Sequence, residues 1–183
     1  MSKADLLKAW HGHLTNGRRR SPHTVRAYTV AARRLIEATD ATDFETLARI
    51  DTARLRSHLA ERRQDGLSNA SVARELSALK SFLDFAREQT GRDDRAGPRL
   101  RGPRIKKGLP RPVTPDDAIG LTETVSEQAH AEWIGARDRA VLLLLYGAGL
   151  RIAEALSLRF EDAPLGDRLT VTGKGGKQRV VPI

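Results

Sequence analysis

The chain has 183 residues, of which 4% are aromatic and 30% charged, and its formal net charge is +9. That length holds one or two small domains with aliphatic cores. The absence of cysteine excludes a disulfide framework and a thiolate metal site, the five histidines form no ligand pattern, and the cationic excess points to a polyanionic partner.

Residues 4–15 carry Leu6, Leu7, Trp10 and Leu14 at helical spacing. Ser21 caps a second helix, with Pro22 at the first position, where a missing N–H does no harm. Its apolar face is Val25, Tyr28, Ala32, Leu35 and Ile36. Asp51 caps a third helix over 52–64, which Gly66 ends. Ser68 or Asn69 opens the fourth, with a stripe of Val72, Leu76, Leu79, Leu83 and Ala86, and Gly91 stops it. Short connections between these four helices predict a compact antiparallel bundle over residues 1–91. Its polar faces carry Arg26, Arg33 and Arg34 on the second helix, and Arg74 and Lys80 on the fourth. His23, Arg26 and Tyr28 have side chains suited to phosphoryl chemistry, but Tyr28 falls on the apolar stripe, so core and DNA-facing roles are expected there instead.

A Pro/Gly-rich stretch follows, with 8 Lys+Arg against 2 Asp+Glu over residues 92–112. Such a run fits a solvated linker and equally a strand that tracks a phosphate backbone, with Arg104, Lys106 and Lys107 as the contacts. Beyond it, Thr114-Pro115-Asp116-Asp117 opens another helix with acidic first-turn chemistry. The run Ala140–Tyr146 predicts a helix over 135–147 buried in a second core. It is far too short to span a bilayer, which takes about 20 residues. With no secretory signal in view, a cytoplasmic location is expected. Gly147 and Gly149 break that helix, and LRIAEALSL starts a new one near residue 151. RLTVTGKGGKQRVVPI reads as a β-hairpin turning at Gly175-Gly176.

Two places on this second part carry candidate chemistry. Arg151 follows the glycine-broken turn, and Glu154 stands three residues on, on the same face. An ordinary surface pair has this spacing. Yet Arg151 lies between two strongly apolar stretches, where a carboxylate-oriented guanidinium suits a phosphate whose charge changes in a reaction. GKGGKQ is not a phosphate-binding P-loop: Val171 stands where the first glycine is required, Gln178 follows Lys177, and strands lie on both sides. Read alone it is a solvated hairpin turn around Lys174.

Together, however, LLYGAGLRIAEALSLRFED and TGKGGKQRVVPI closely resemble the first catalytic box and hairpin of tyrosine recombinases (the phage integrase family), above all the XerC/XerD group. SPHTVRAYTVAARRLIE looks like the opening of that family's core-binding domain, so the resemblance spans essentially the whole chain. It implies a mainly α protein. A four-helix, SAM-like core-binding domain (1–91) and a basic linker (92–112) would be followed by the start of a mixed α/β catalytic domain (113–183) with one hairpin. In the family a tyrosine attacks a DNA phosphate and forms a 3′-phosphotyrosyl link, so neither ATP nor a metal is needed and no cofactor is expected. Arg151 matches the first catalytic arginine, Lys174 the hairpin lysine that protonates the leaving 5′-oxygen, and Glu154 the acidic position that supports the arginine.

The implied partners are a double-stranded DNA recombination site and a paired recombinase in a homo- or hetero-tetramer, with chromosome-dimer resolution as the role. No membrane is expected as a partner. The family's later His-x-x-Arg, its further His or Trp and its nucleophilic Tyr do not follow Ile183, so a catalytically incomplete chain is expected. A phage or mobile-element integrase and a non-catalytic regulator of recombination sites remain open as alternatives.

Overall fold

The computed structural model describes residues 1–91, 97, 99–105, 108–109 and 111–183. Lys106 and Lys107 lie outside the described residues, as does the side chain of Lys174. The chain falls into two compact units, Met1–Lys107 and Gly108–Ile183.

In the first unit, α1 (Lys3–Gly12) starts at Ser2, whose hydroxyl accepts from the Asp5 N–H while the Asp5 carboxylate accepts from the Ser2 N–H. This reciprocal box satisfies two of the helix's orphan donors. A π-turn over His13–Gly17 follows, with the Arg18 N–H reaching the His13 carbonyl at 2.9 Å. Helices α2 (Pro22–Thr39), α4 (Thr52–Gln64) and α5 (Asn69–Gln89) start where their side-chain caps require, at Ser21, Asp51 and Ser68. The structure adds one helix to the four predicted. In α3 (Phe44–Ala48), the Asp43 carboxylate accepts from the Thr46 N–H at 2.7 Å. Phe44 meets Phe85 of α5 edge-on, and Leu47 is fully buried.

The core forms around α5, where Val72, Leu76, Leu79, Phe82, Leu83 and Ala86 are all buried. Trp10 packs on Phe82 and Phe85, each with ring centroids 5.3 Å away, and His13 stacks on Trp10 while also meeting Phe85. Each large side chain taken from water here contributes roughly 1.5–3 kcal/mol. The stretch after α5 returns to this unit: Leu100 packs on the core, and Gly102 lies against Ala73 and Leu76.

In the second unit Thr114 caps α6 (Pro115–Glu127) through the Asp117 N–H. Helix α7 (Glu132–Gly147) departs from expectation, because it is not enclosed. Val141, Leu144, Leu145 and Ala148 face a small core of Leu150, Ala155, Val171 and Val181. On other faces Trp133 is 65% exposed, and Leu143 and Tyr146 are each 51% exposed. The apolar run signalled burial on all sides, but among the described residues α7 is covered only where it meets α6, with Gly135 against Ser126 and Ala129, and where it meets the small core. After the turn at Gly149 comes α8 (Ile152–Ala155). Strands β1 (Arg168–Thr172) and β2 (Gln178–Pro182) then pair antiparallel, from Arg168 opposite Pro182 to Thr172 opposite Gln178. A short 3₁₀ turn, Lys174–Gly176, joins them, with Gly175 and Gly176 at φ of 77° and 75°, values that residues with a Cβ rarely adopt.

Candidate phosphate site and nucleic-acid face

Glu154 organises the second unit's polar site. It is 4% exposed, and its two oxygens accept four hydrogen bonds. Oε2 takes the Arg151 backbone N–H and Arg179 Nη2, both at 2.8 Å. Oε1 takes Arg151 Nη1 at 3.0 Å and Arg179 Nη1 at 2.6 Å. A carboxylate has about four acceptor sites, so this one is filled. The bond from the Arg151 N–H is also half of a capping box for α8, since Arg151 has no side-chain acceptor with which to return it. The bonds from Arg179, then the one from the Arg151 backbone, outweigh burial and hold the Glu154 carboxyl down at about 2, against an ordinary 4.5.

The Arg151 side chain remains 68% exposed, with most of its donors turned away from Glu154. This matches the predicted pairing of Arg151 with Glu154. Sequence reasoning missed Arg179. The signal was present in the strand alternation, which puts residue 179 on the same face of β2 as buried Val181, with buried Val171 as its partner across the hairpin. A cation on an apolar face calls for a counter-charge. Gly173, one residue before Lys174, closes the hairpin base with an N–H donated to the Lys177 carbonyl at 2.7 Å. A Cβ at Gly173 would lie 3.2 Å from Glu154 Oε1 and 3.5 Å from Arg151 Nη1, so the bare backbone lets the hairpin approach.

The first unit carries the basic residues. Arg26 and Arg33 are both exposed on α2 and line a 480 Å3 groove, together with Arg20, His11, Val25 and Val30. Among the described residues no carboxylate lines this groove. Arg20 is a second residue the sequence reading passed over. Arg74 is exposed on α5, its Nε donating to the Ala70 carbonyl at 3.3 Å, and Lys80 is half-buried on the same helix. Arg104 is exposed in the extended stretch beyond α5.

Arg34 differs from its neighbours. Its Nη1 lies 3.6 Å from Glu75 Oε2, and Glu75 is only 7% exposed. Arg62 Nε (3.4 Å) and His58 Nε2 (3.6 Å) approach the other oxygen of the same carboxylate. Burial alone would raise the Glu75 carboxyl, but His58 and the two arginines together hold it below its ordinary value. This cluster joins α2, α4 and α5 through one carboxylate.

Two family descriptions match the chain: "Phage integrase, N-terminal SAM-like domain" over residues 7–90 and "Phage integrase family" over residues 113–183. The chain belongs to the phage integrase family, the tyrosine recombinases. Its relatives include the tyrosine recombinase XerC of Methylobacterium sp. (strain 4-46), 37% identical over 98% of this chain and 58% of that protein. The XerC of Mesorhizobium japonicum (strain LMG 29417 / CECT 9101 / MAFF 303099) is 39% identical over the whole of this chain and 62% of its own length. Thus the chain spans somewhat under two thirds of the relatives it matches. Among solved structures, the XerH site-specific recombinase bound to difH substrate in a pre-cleavage complex superposes with a TM-score of 0.64. That match covers all of this chain and 52% of the other at 22% identity, and it shows a shared fold.

Proposed function

We propose that this chain supplies the DNA-clamping helices and part of the phosphate-binding site of a XerC-like site-specific recombinase. The whole protein would cut and rejoin duplex DNA through a 3′-phosphotyrosyl intermediate. The observation that carries this reading is the saturated Glu154 carboxylate, which fixes Arg151 while leaving its guanidinium open to an incoming anion. A planar donor fork held in place before the reaction suits the non-bridging oxygens of a phosphate, whose charge grows in the transition state. Lys174, on the adjoining turn, is the general acid for the leaving 5′-oxygen in this mechanism. Arg26, Arg33, Arg74, Lys80 and Arg104, with Lys106 and Lys107, contact phosphates of the duplex and supply most of the affinity. The partners are a DNA recombination site and a paired recombinase, and the role is chromosome-dimer resolution in the cytoplasm.

The test uses a duplex selected from a random-sequence pool, then rebuilt with a nick that traps the cleaved state. The 183-residue chain should retard the duplex in a gel. It should form no covalent adduct, because its two tyrosines, Tyr28 and Tyr146, do not stand where the resemblance calls for the nucleophile. The full gene product should form a 3′-adduct on the nicked duplex. A gene product that binds no duplex at low salt refutes the reading.

A further inference from the structure

The residues that bring the hairpin to the start of α8 form a single connected unit. The inward face of the hairpin consists of Leu169, Val171 and Val181, and Arg179 shares that face. Its guanidinium meets Glu154 fork to fork, at 2.6 and 2.8 Å, and Nη2 also reaches the Gly149 carbonyl at 3.4 Å. One side chain of β2 therefore touches both the turn before Arg151 and the carboxylate that holds Arg151. The same carboxylate packs against Gly173, the residue that leads into the Lys174 turn.

We propose that Arg179 is a positioning residue for the phosphate site. Through Glu154 it latches the hairpin to the start of α8, so that Arg151 and the Lys174 turn are presented to one phosphate as a fixed pair. This rests on the function proposed above. Arginine suits the task because its planar fork fixes direction as well as charge, which a lysine ammonium does not. Removing the fork frees two of the four acceptor sites on Glu154 and unties β2 from the Gly149 turn in one step. Arg151 then keeps a partner but loses its fixed orientation, and the hairpin base is no longer held against it. The latch touches no substrate, so its effect falls on geometry and rate and leaves DNA affinity nearly unchanged.

Two variants test this, Arg179→Gln and Arg179→Lys, each studied at a temperature where thermal melts show it folded. In the 183-residue chain, the carboxyl-carbon signal of Glu154 is followed by NMR through an acid titration. The wild-type midpoint is expected at about 2, and Arg179→Gln should move it toward the ordinary 4.5. Arg179→Lys, which keeps the charge without the fork, should fall between. Amide exchange at Gly173 and Gly176, whose N–H groups donate to the Lys177 and Gly173 carbonyls, should quicken in both. In the full gene product, single-turnover cleavage of the nicked duplex should slow by up to about 100-fold in Arg179→Gln, the scale of a misplaced reacting group. Replacing the bridging 5′-oxygen by sulfur should restore only part of that loss, because the sulfur relieves the need for Lys174 and leaves the orientation of Arg151 uncorrected. An unmoved Glu154 midpoint, or cleavage at the wild-type rate in both variants, overturns the latch. A wild-type gene product that cleaves nothing overturns the recombinase reading, and with it the phosphate that the latch serves.

Discussion

Changing Arg26 and Arg33 together to alanine removes two cations that lie seven residues apart on α2, about 10 Å along the helix axis. Both are exposed and line the same groove, and among the described residues the groove has no carboxylate and neither arginine is held in an ion pair. Each is therefore free to displace a counterion from a DNA phosphate. Every phosphate neutralised contributes about 0.9 to the slope of log affinity against log salt, so the double variant should flatten that slope by about 1.8. Between about 50 and about 200 mM salt, wild type should then lose about tenfold more affinity than the variant. The assay is fluorescence anisotropy of a labelled duplex across a salt series. Arg34→Ala is the internal control. Its guanidinium sits on the same helix but is directed to Glu75, so the slope should change far less. An unchanged slope in the double variant, or an equal flattening in Arg34→Ala, refutes the assignment of this face.

Glu75→Ala strips the counter-charge from Arg62 and the carboxylate that faces His58 in the interior, and should destabilise the first unit by roughly 3 kcal/mol, read from urea midpoints. The lower end of the usual range applies because the Arg34 side chain is 44% exposed. The Glu75 carboxyl lies below its unfolded value of 4.5, so its contribution is present above pH 4.5 and is lost as pH falls through the folded value. Glu75→Gln should therefore show a shallower acid loss than wild type below pH 4.5, and parallel curves would contradict this. In the full gene product, Arg151→Ala should slow cleavage by about 10²–10³-fold. Lys174→Ala should be rescued by a bridging 5′-sulfur, whereas rescue of Lys177→Ala instead would identify the wrong lysine. Hydrogen exchange of the 183-residue chain should be slow along α5 and much faster along α7, and equal protection of the two would contradict the partial burial of α7, which leaves Trp133, Leu143 and Tyr146 exposed.

Most of the architecture was legible because it is written in local signals. Ser21-Pro22, Asp51, Ser68 and Thr114 each mark a helix start by a short-range bond, and the Gly175-Gly176 turn fixes the hairpin. What escaped depends on contacts that sequence spacing does not carry. Helix α3 has five residues, too few for a period to show, and it persists because Phe44 and Leu47 find α5. Arg34 has the same sequence surroundings as Arg33, and only the fold reveals that Glu75, 41 positions away, engages it. At the candidate site the Arg151–Glu154 pair was readable because it spans one helical turn. Arg179 lies 25 residues from its carboxylate and on a different element, so the alternation of β2 was the sole hint.

The two tryptophans of the chain fall one to each unit. Trp10 is sealed in the first core among His13, Phe82 and Phe85, whereas Trp133 stands in solvent beside Arg137, whose guanidinium lies 5.4 Å from its ring. Each unit thus contains its own fluorophore, one blue-shifted and one red-shifted, and a Trp133→Phe protein emits from the helical bundle alone. A quencher such as iodide should reach the second fluorophore and not the first. Anything that comes to cover α7 can then be followed by loss of that quenching, with no label added and without disturbing the groove on α2.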